Sequence, residues 1–347
     1  MTDTALITTT IYVPQVLRQY RAADPDVLMI IAGDLKTPHA EVRALCRELG
    51  NAVYLDPQEQ ERLGYACSDV IAWRSIQRRN IALLEAIRAG ADVVLSIDDD
   101  NAPRHPSGEP DYFDLLRQAF SGPVGNAVTT AEGWFNVGDA AEAPYYYRGI
   151  PFSLRSGVGL AWDYEDKRVR PGERRVGVVN GLIYGDPDIN AIDRYISGEP
   201  RVDKYHLLDA VYVNPRTTWT PINSQNTAYV RELAPLAFVL PGVGRYDDIW
   251  ASFMALRVME ATDYHVLFGE PSVVQERNPH NWLVDLDKEL YGMKHTEAFC
   301  AGLKAVVVDP AKSVLDNLAA VAQGACLLPP QARHFMSAYL DDVARIL

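Results

Sequence analysis

Long apolar runs are missing from this chain. No stretch approaches the roughly 20 residues that cross a bilayer, so no membrane partner is expected. Cysteine is scarce: Cys46, Cys67, Cys300 and Cys326 are the whole complement, and none forms a C-x-x-C pair. That scatter argues against a zinc site or a disulfide framework and points to buried free thiols. Basic residues are outnumbered, 33 Lys and Arg against 46 Asp and Glu, for a formal net charge of −13. Such a balance argues against a nucleic-acid partner, because phosphate needs a basic face. It leaves room for a local basic pocket around a small phosphorylated ligand. G-x-S-x-G, P-loop and Rossmann glycine patterns are absent, so esterase, ATPase and dehydrogenase readings lack support. His39, His105, His206, His265, His295 and His334 show no metal-ligand spacing. The opening residues, Met1 to Leu6, lack the basic and apolar segments of a secretory signal. A soluble, cytoplasmic protein is expected.

What is present is an α/β pattern. The 347 residues are 48% hydrophobic and 23% charged, ordinary globular values with chain enough for a substantial core. Ala5–Val13 and Val27–Ala32 read as strands, the second a continuous apolar run typical of burial on both faces. His39–Leu49 reads as a helix stopped by Gly50, and Ala52–Leu55 as a third strand. Ser68 is placed to cap a long helix running to Ala89, and Asp92–Ile97 follows as a strand. Alternating strands and helices of this kind build a parallel sheet covered by helices. Ligands of open sheets sit beyond the carboxyl ends of the strands. That places Asp34 and Asp98-Asp99-Asp100 on one rim. Residues 101–245 are rich in Pro, Gly and aromatics and suit pocket-building loops. Two amphipathic stretches within Asp309–Leu347 read as a C-terminal cap or a homo-oligomer contact.

The acidic triplet is the first chemical signal. Three adjacent carboxylates repel one another, and a hard divalent cation is the simplest reason to keep them at the end of a buried strand. Magnesium or manganese there would offset a diphosphate's charge. The alternative is a solvated acidic turn. Arg78-Arg79-Asn80 lie upstream, suited to phosphate and ribose, or else to a solvated helix face. Helix with R-N, then strand with D-x-D, resembles the order of the GT-A nucleotide-diphospho-sugar transferase architecture. Early strands cradle the nucleoside there, which nominates Thr8, Thr9, Thr10 and Asp34.

Two longer strings sharpen the reading. They are Tyr147-Arg148-Gly149-Ile150-Pro151-Phe152-Ser153-Leu154-Arg155-Ser156-Gly157 and Gly244-Arg245-Tyr246-Asp247-Asp248-Ile249-Trp250. With the acidic triplet, Asn180-Gly181-Leu182 and Asp186-Pro187-Asp188, the chain resembles the reversibly glycosylated polypeptides, the UDP-arabinopyranose mutases, from about residue 70 to about residue 290. The resemblance implies a GT-A-like α/β fold, with a mainly parallel central sheet flanked by helices. Residues 1–300 would form the catalytic domain, 1–104 its nucleotide half and 105–300 its sugar half, with 301–347 a helical extension. It also implies a manganese (or magnesium) site at Asp98, Asp99 and Asp100, and a nucleotide-sugar partner, UDP-linked rather than GDP-linked. The implied activity is interconversion of the pyranose and furanose forms of that sugar. In the family the arginine at the position of Arg148 becomes reversibly glycosylated, and the one at Arg155 is also needed. Two departures are visible: Asn101 replaces a cysteine after the triplet, and the segment Val274–Pro279 lacks a histidine, although His280 follows.

Such chemistry needs the nucleotide diphosphate to leave, stay bound and return. Arginine is a weak nucleophile: with a pKa of roughly 13.8, about one guanidinium in a few million is neutral at pH 7. Arg148 is therefore either the sugar's covalent anchor or an electrostatic grip on the diphosphate, and Arg155 a phosphate binder. Asp247 and Asp248 precede an apolar helix, where they could cap it, contact sugar hydroxyls or act as the base. Asn180, Gly181, Asp186 and Asp188 are candidate sugar contacts, the last two equally readable as turn residues. Trp134, Tyr145, Tyr146, Tyr147 and Trp250 are stacking faces or core. Two other functions use the same site: a glycosyltransferase with an external acceptor, and a self-glycosylating, non-catalytic partner subunit.

Overall fold

A computed structural model of the chain describes residues 3–104, 111–155, 163–164, 168–198, 200–206, 209–275 and 281–347. It opens with β1 (Thr4–Thr10), α1 (Leu17–Ala23), β2 (Leu28–Gly33), α2 (His39–Leu49) and β3 (Ala52–Leu55). Next come α3 (Pro57–Arg62), α4 (Ala66–Val70), α5 (Arg79–Arg88) and β4 (Val93–Ile97). The strands pair in parallel in the order β3-β2-β1-β4. Buried almost throughout, β2 and β4 have no polar face to show, hence their largely apolar sequence, broken in β4 only by Ser96, whose hydroxyl donates to the Ser224 carbonyl.

The second half supplies β5 (Asn101–Pro103), α6 (Tyr112–Phe120), β6 (Gly125–Thr129), β7 (Asp163–Tyr164), β8 (Arg175–Asn180), β9 (Ile183–Gly185) and α7 (Ala191–Ser197). It continues with β10 (Ala210–Val213), β11 (Asn226–Val230), α8 (Asp247–Met259), β12 (Tyr264–Phe268) and β13 (Val273–Gln275). The helices α9 (Trp282–Ala305), α10 (Val314–Gly324) and α11 (Pro330–Ile346) close the chain. The main sheet runs β3-β2-β1-β4-β11-β8-β12-β10-β6-β7, and a small sheet runs β5-β13-β9. Five of the main sheet's nine ladders are parallel and four antiparallel. The expected α/β class, with a mostly parallel sheet between helices, is the architecture observed.

One apolar cluster joins a face of the sheet to α5, α8, α9, α10 and α11. The C-terminal helices therefore share the core of the strands, and α9 runs unbroken through residue 300. Trp250 stacks on Phe299 at 3.9 Å and 7° and donates Nε1–H to Thr296 at 2.9 Å. Burying a ring of that size removes about 200 Å² from water, on the order of 5 kcal/mol. This fixes α8, and with it Asp247 and Asp248 in its first turn. Trp134 packs edge-on against Trp219 and Phe253, and Tyr147 is buried, so these aromatics are core rather than stacking platforms. All four cysteines are free, three of them buried. Among the described residues no helix is long and apolar enough to cross a membrane.

The long helix expected from Ser68 to Ala89 is instead two helices with a break. The chain leaves α4 at Val70, passes Arg74 in the left-handed region (φ 62°) and makes a 3-10 turn at Ile76–Arg78 before α5. Tertiary contacts override the helical periodicity there. Ser75 N–H donates to Asp34 Oδ2 at 3.0 Å, Ser75 Oγ accepts from Gln77 N–H at 3.2 Å, and Arg78 lies 3.5 Å over the Trp73 ring. The first strand likewise stops at Thr10 rather than Val13, because Thr10 Oγ1 accepts from Tyr12 N–H at 3.0 Å and turns the chain.

Candidate active site

Thr10 and Gly33 end paired strands, β4 lies on the other side of β1, and Asp98–Asp100 follow it. Asp34 and the acidic triplet therefore share one rim, as the strand order required. A cavity of about 220 Å³ opens there, lined by Asp98, Asp100, Arg148, Arg245, Asp247 and Asp248. Ile76, Ser224, Gln225 and Gln275 complete its walls. A larger cavity, about 370 Å³, lies on the α6 side of the sheet; its walls include Leu95, Leu116 and Leu267 and none of the signature arginines or triplet aspartates. Polarity rather than size marks the smaller cavity as the chemical one.

Arg148 is 5% exposed and held from three sides. Its Nε and Nη2 donate to the two carboxylate oxygens of Asp188 at 2.7 and 3.1 Å. Its Nη1 lies 3.1 Å from Asp248 Oδ1 and donates to the Arg245 carbonyl. Its backbone N–H donates to the Asp188 carbonyl at 2.8 Å. Burial acts to lower the guanidinium's pKa, but Asp188 and Asp248 outweigh it and hold the value well above the ordinary one. Arg148 is thus a fixed cation. Gly149, at φ 100°, lets the chain turn beside it: a Cβ there would meet Ile249 Cγ2 at 2.5 Å.

Asp247 and Asp248 are both 8% exposed. Gln77 Nε2 donates to Asp247 Oδ2 at 2.6 Å, so the helix break delivers a ligand to this carboxylate. Burial, then the adjacent Asp248, push the Asp247 carboxyl up to about 7. Asp248 Oδ2 accepts from Ser224 N–H at 3.0 Å while facing Arg148. Two neighbouring carboxyls thus sit in different environments, one against a guanidinium and one able to exchange a proton near neutrality.

The triplet divides. Asp98 accepts from Arg79 Nη2 at 2.5 Å, and Arg79 also reaches the Ser224 carbonyl at 3.0 Å. Asp99 turns away from the cavity to take the Thr10 hydroxyl, and burial raises its carboxyl above the usual range. Asp100 lines the cavity. The expected three-aspartate ligand set is therefore not gathered, and among the described residues no three His, Cys, Asp or Glu side chains are grouped to hold a metal. Two cavity carboxylates still fit an ion of the magnesium or manganese type, which takes its other ligands from phosphates and water. His280 lies outside the described residues, as do Ser156 and Gly157 of the first string.

Several candidates prove to be struts. Arg78 is buried, donating to Ser68 Oγ at 2.8 Å and the Ile71 carbonyl at 2.6 Å. The Asn80 amide pairs both ways with the Val239 backbone, at 2.8 and 2.9 Å. Thr8 and Thr9 cap the carbonyls of Ile97 and Ala32, each at 2.9 Å. Asp34, 1% exposed, accepts from Ser75 and Leu35 N–H. Asn180 donates to Thr227 at 2.6 Å. Gly181 lines the larger cavity, and Asp186 accepts from Arg194. Asp188 is the partner of Arg148. Arg155 does not line the small cavity. Its Nη1 donates to Asp193 at 2.9 Å, and its guanidinium lies 3.9 Å over Phe152.

Sequence reasoning missed Gln77, Ser224, Gln225, Arg245 and Gln275. Arg245 stood in a quoted string without a role, two residues before Asp247. Ser224 and Gln225 sit in a polar run, Asn223–Asn226, whose placement against β4 only the sheet order reveals.

The model of the family described as reversibly glycosylated polypeptide matches residues 92–323, about two thirds of the chain. The chain belongs to the reversibly glycosylated polypeptide family. Among its relatives, UDP-arabinopyranose mutase 1 of Arabidopsis thaliana is 32% identical over 158 residues, which are 44% of this chain and 39% of that protein. UDP-arabinopyranose mutase 2 of the same plant is 31% identical over the same coverage. The match thus spans about two fifths of these relatives' length. A solved structure of a mycobacterial protein overlaps 87% of this chain and 75% of its own, at a TM-score of 0.43 and 13% identity. So loose an overlap carries no argument about the site.

Proposed function

We propose that this protein is a nucleotide-sugar mutase, converting pyranose and furanose forms of a UDP-linked pentose. The observation that carries the reading is the meeting of Arg148, Asp98, Asp100 and the Asp247–Asp248 pair around one cavity. The cavity is smaller than the roughly 300–1,000 Å³ of a drug-sized ligand's pocket. It suits the sugar and its phosphates, with the nucleoside extending over the rim near Thr10.

Asp98 and Asp100 would hold a divalent cation, manganese or magnesium, which as a Lewis acid offsets the charge of the leaving diphosphate. Arg148, permanently charged, attracts the same diphosphate and keeps it bound after the bond to C1 breaks. That bond's electrons leave with the β-phosphate oxygen, and the ring oxygen's lone pair steadies C1. A second sugar hydroxyl then closes on C1 and gives its proton to Asp247. The first ring bond opens, its oxygen takes that proton back, and the diphosphate re-adds at C1. Asp247 suits both transfers because its carboxyl populates both forms near neutrality. The elevated pKa of Arg148 disfavours its acting as the nucleophile and favours the electrostatic grip.

The test is incubation with UDP-arabinopyranose and manganese, followed by chromatography of the UDP-sugars. Appearance of the furanose form supports the reading. Release of UDP only when an external acceptor is added would point to a glycosyltransferase. A sugar mass increment on Arg148 without turnover would mark a self-glycosylating partner subunit.

A further inference from the structure

Arg148 is heavily occupied by carboxylates, and a diphosphate in the cavity needs a second cation with open donors. The sequence nominated Arg155, which faces Asp193 instead. The cavity presents a different arginine. Arg245 lines it, and its side chain is 27% exposed, against 8% for Arg155. Among the described residues only its Nε is engaged in a hydrogen bond, to Glu289 Oε1 at 3.2 Å; Asp285 Oδ1 stands 3.6 Å from Nη1. Among the described residues neither Nη group donates a protein hydrogen bond. Glu289 is 1% exposed and also accepts from the Ala191 N–H at 2.7 Å, so it is a rigid anchor. Gly244, at φ 64°, allows the approach: a Cβ there would lie 1.9 Å from the Lys288 carbonyl oxygen.

We propose that Arg245 supplies the second guanidinium that grips the substrate's diphosphate, and that Arg155 is a positioning residue acting through α7. Arg155 binds Asp193 in the first turn of α7. The same turn carries Asn190, which accepts from the Tyr246 hydroxyl at 2.5 Å, and Ala191, which binds Glu289. Arg155 thereby fixes the segment that orients both neighbours of Arg245. A guanidinium fork matches two phosphate oxygens. The backbone carbonyl of Arg245 meanwhile accepts from Arg148, so the two cations are placed as a pair.

The inference rests on the nucleotide-sugar reading, and the experiment separates the two. Calorimetric titration of the full chain with UDP, UMP and uridine, in manganese, compares wild type with R245Q, R245K and R155Q. Arg245 is expected to contribute only to phosphate recognition. R245Q should weaken UDP binding about ten- to a hundredfold, the range of a charged hydrogen-bond pair, and leave uridine unchanged. R245K, which keeps the charge but not the fork, should fall between and stands in if R245Q does not fold. R155Q should weaken UDP less than R245Q does. Wild-type binding of UDP with R245Q and R245K equal to it would overturn this inference and leave the mutase reading standing. Equal weakening of uridine and UDP would also overturn it, since that marks a general structural role. Failure of the wild type to bind any of the three ligands would overturn both.

Discussion

Replacing Arg148 with methionine removes the guanidinium while keeping much of its volume. Asp188, 3% exposed, and Asp248, 8% exposed, then face the interior without their cation. Removing one partner of a buried pair costs about 3–5 kcal/mol. The lower end applies here, because Asp188 keeps the Asn223 amide at 3.1 Å and Asp248 keeps Ser224 N–H at 3.0 Å. A loss of about 3 kcal/mol is a large share of the roughly 5–15 kcal/mol that holds a domain together. The loss should also depend on pH. Deprived of the cation, a buried carboxyl prefers its neutral form, so its folded-state pKa rises above the unfolded one. Stability then falls as pH rises from the unfolded value through the folded one. Urea denaturation followed by circular dichroism should give a midpoint difference between wild type and R148M that widens from pH 5 to pH 8, with unchanged slope. A difference under about 1 kcal/mol that is the same at both pH values would refute the placement of Arg148 between these two carboxylates.

Three further outcomes follow from the same geometry. Thermal stabilisation by UDP plus manganese should largely disappear in D98N or D100N, while stabilisation by uridine persists; equal responses to the two ligands would contradict a metal held by these carboxylates. Burial and the adjacent Asp248 push the Asp247 carboxyl up to about 7, above the unfolded carboxyl, so it lowers stability as pH rises from about 4 to about 7. D247N should therefore be more stable than wild type at pH 8 yet roughly 10²- to 10⁴-fold slower, and unchanged turnover would exclude the proton-transfer role. G149A places a methyl 2.5 Å from Ile249 and strains a φ of 100°, so it should cost about 1–3 kcal/mol in the same denaturation assay.

The early strands, α2 and the acidic rim were legible because each rests on local pattern. Apolar runs with no polar face reveal doubly buried strands, and strand ends locate the rim. The two quoted strings carry Arg148, Asp247 and Asp248, and all three line one cavity. What remained hidden depends on contacts distant in sequence. The break before α5 is held by Asp34, some 40 residues upstream, and nothing in the periodicity of residues 68–89 records it. Asn80 and Arg78 read as ligand residues by type, yet the Asn80 amide binds the Val239 backbone and the two Arg78 Nη groups bind Ser68 and Ile71. Arg155 and Arg245 are indistinguishable as arginines in uncommon strings. Only the position of α7 against α9 separates the one facing Asp193 from the one facing the cavity.

The account stands on a diphosphate that departs and returns within one closed site. Positional isotope exchange reads that event directly. UDP-arabinopyranose carrying ¹⁸O in the bridge between C1 and the β-phosphorus should, on incubation with the protein and manganese and no acceptor, move label into the non-bridging β-phosphate positions. R148M should abolish the exchange. Furanose forming while the label stays wholly in the bridge, or no exchange and no furanose from any nucleotide pentose, would contradict the account.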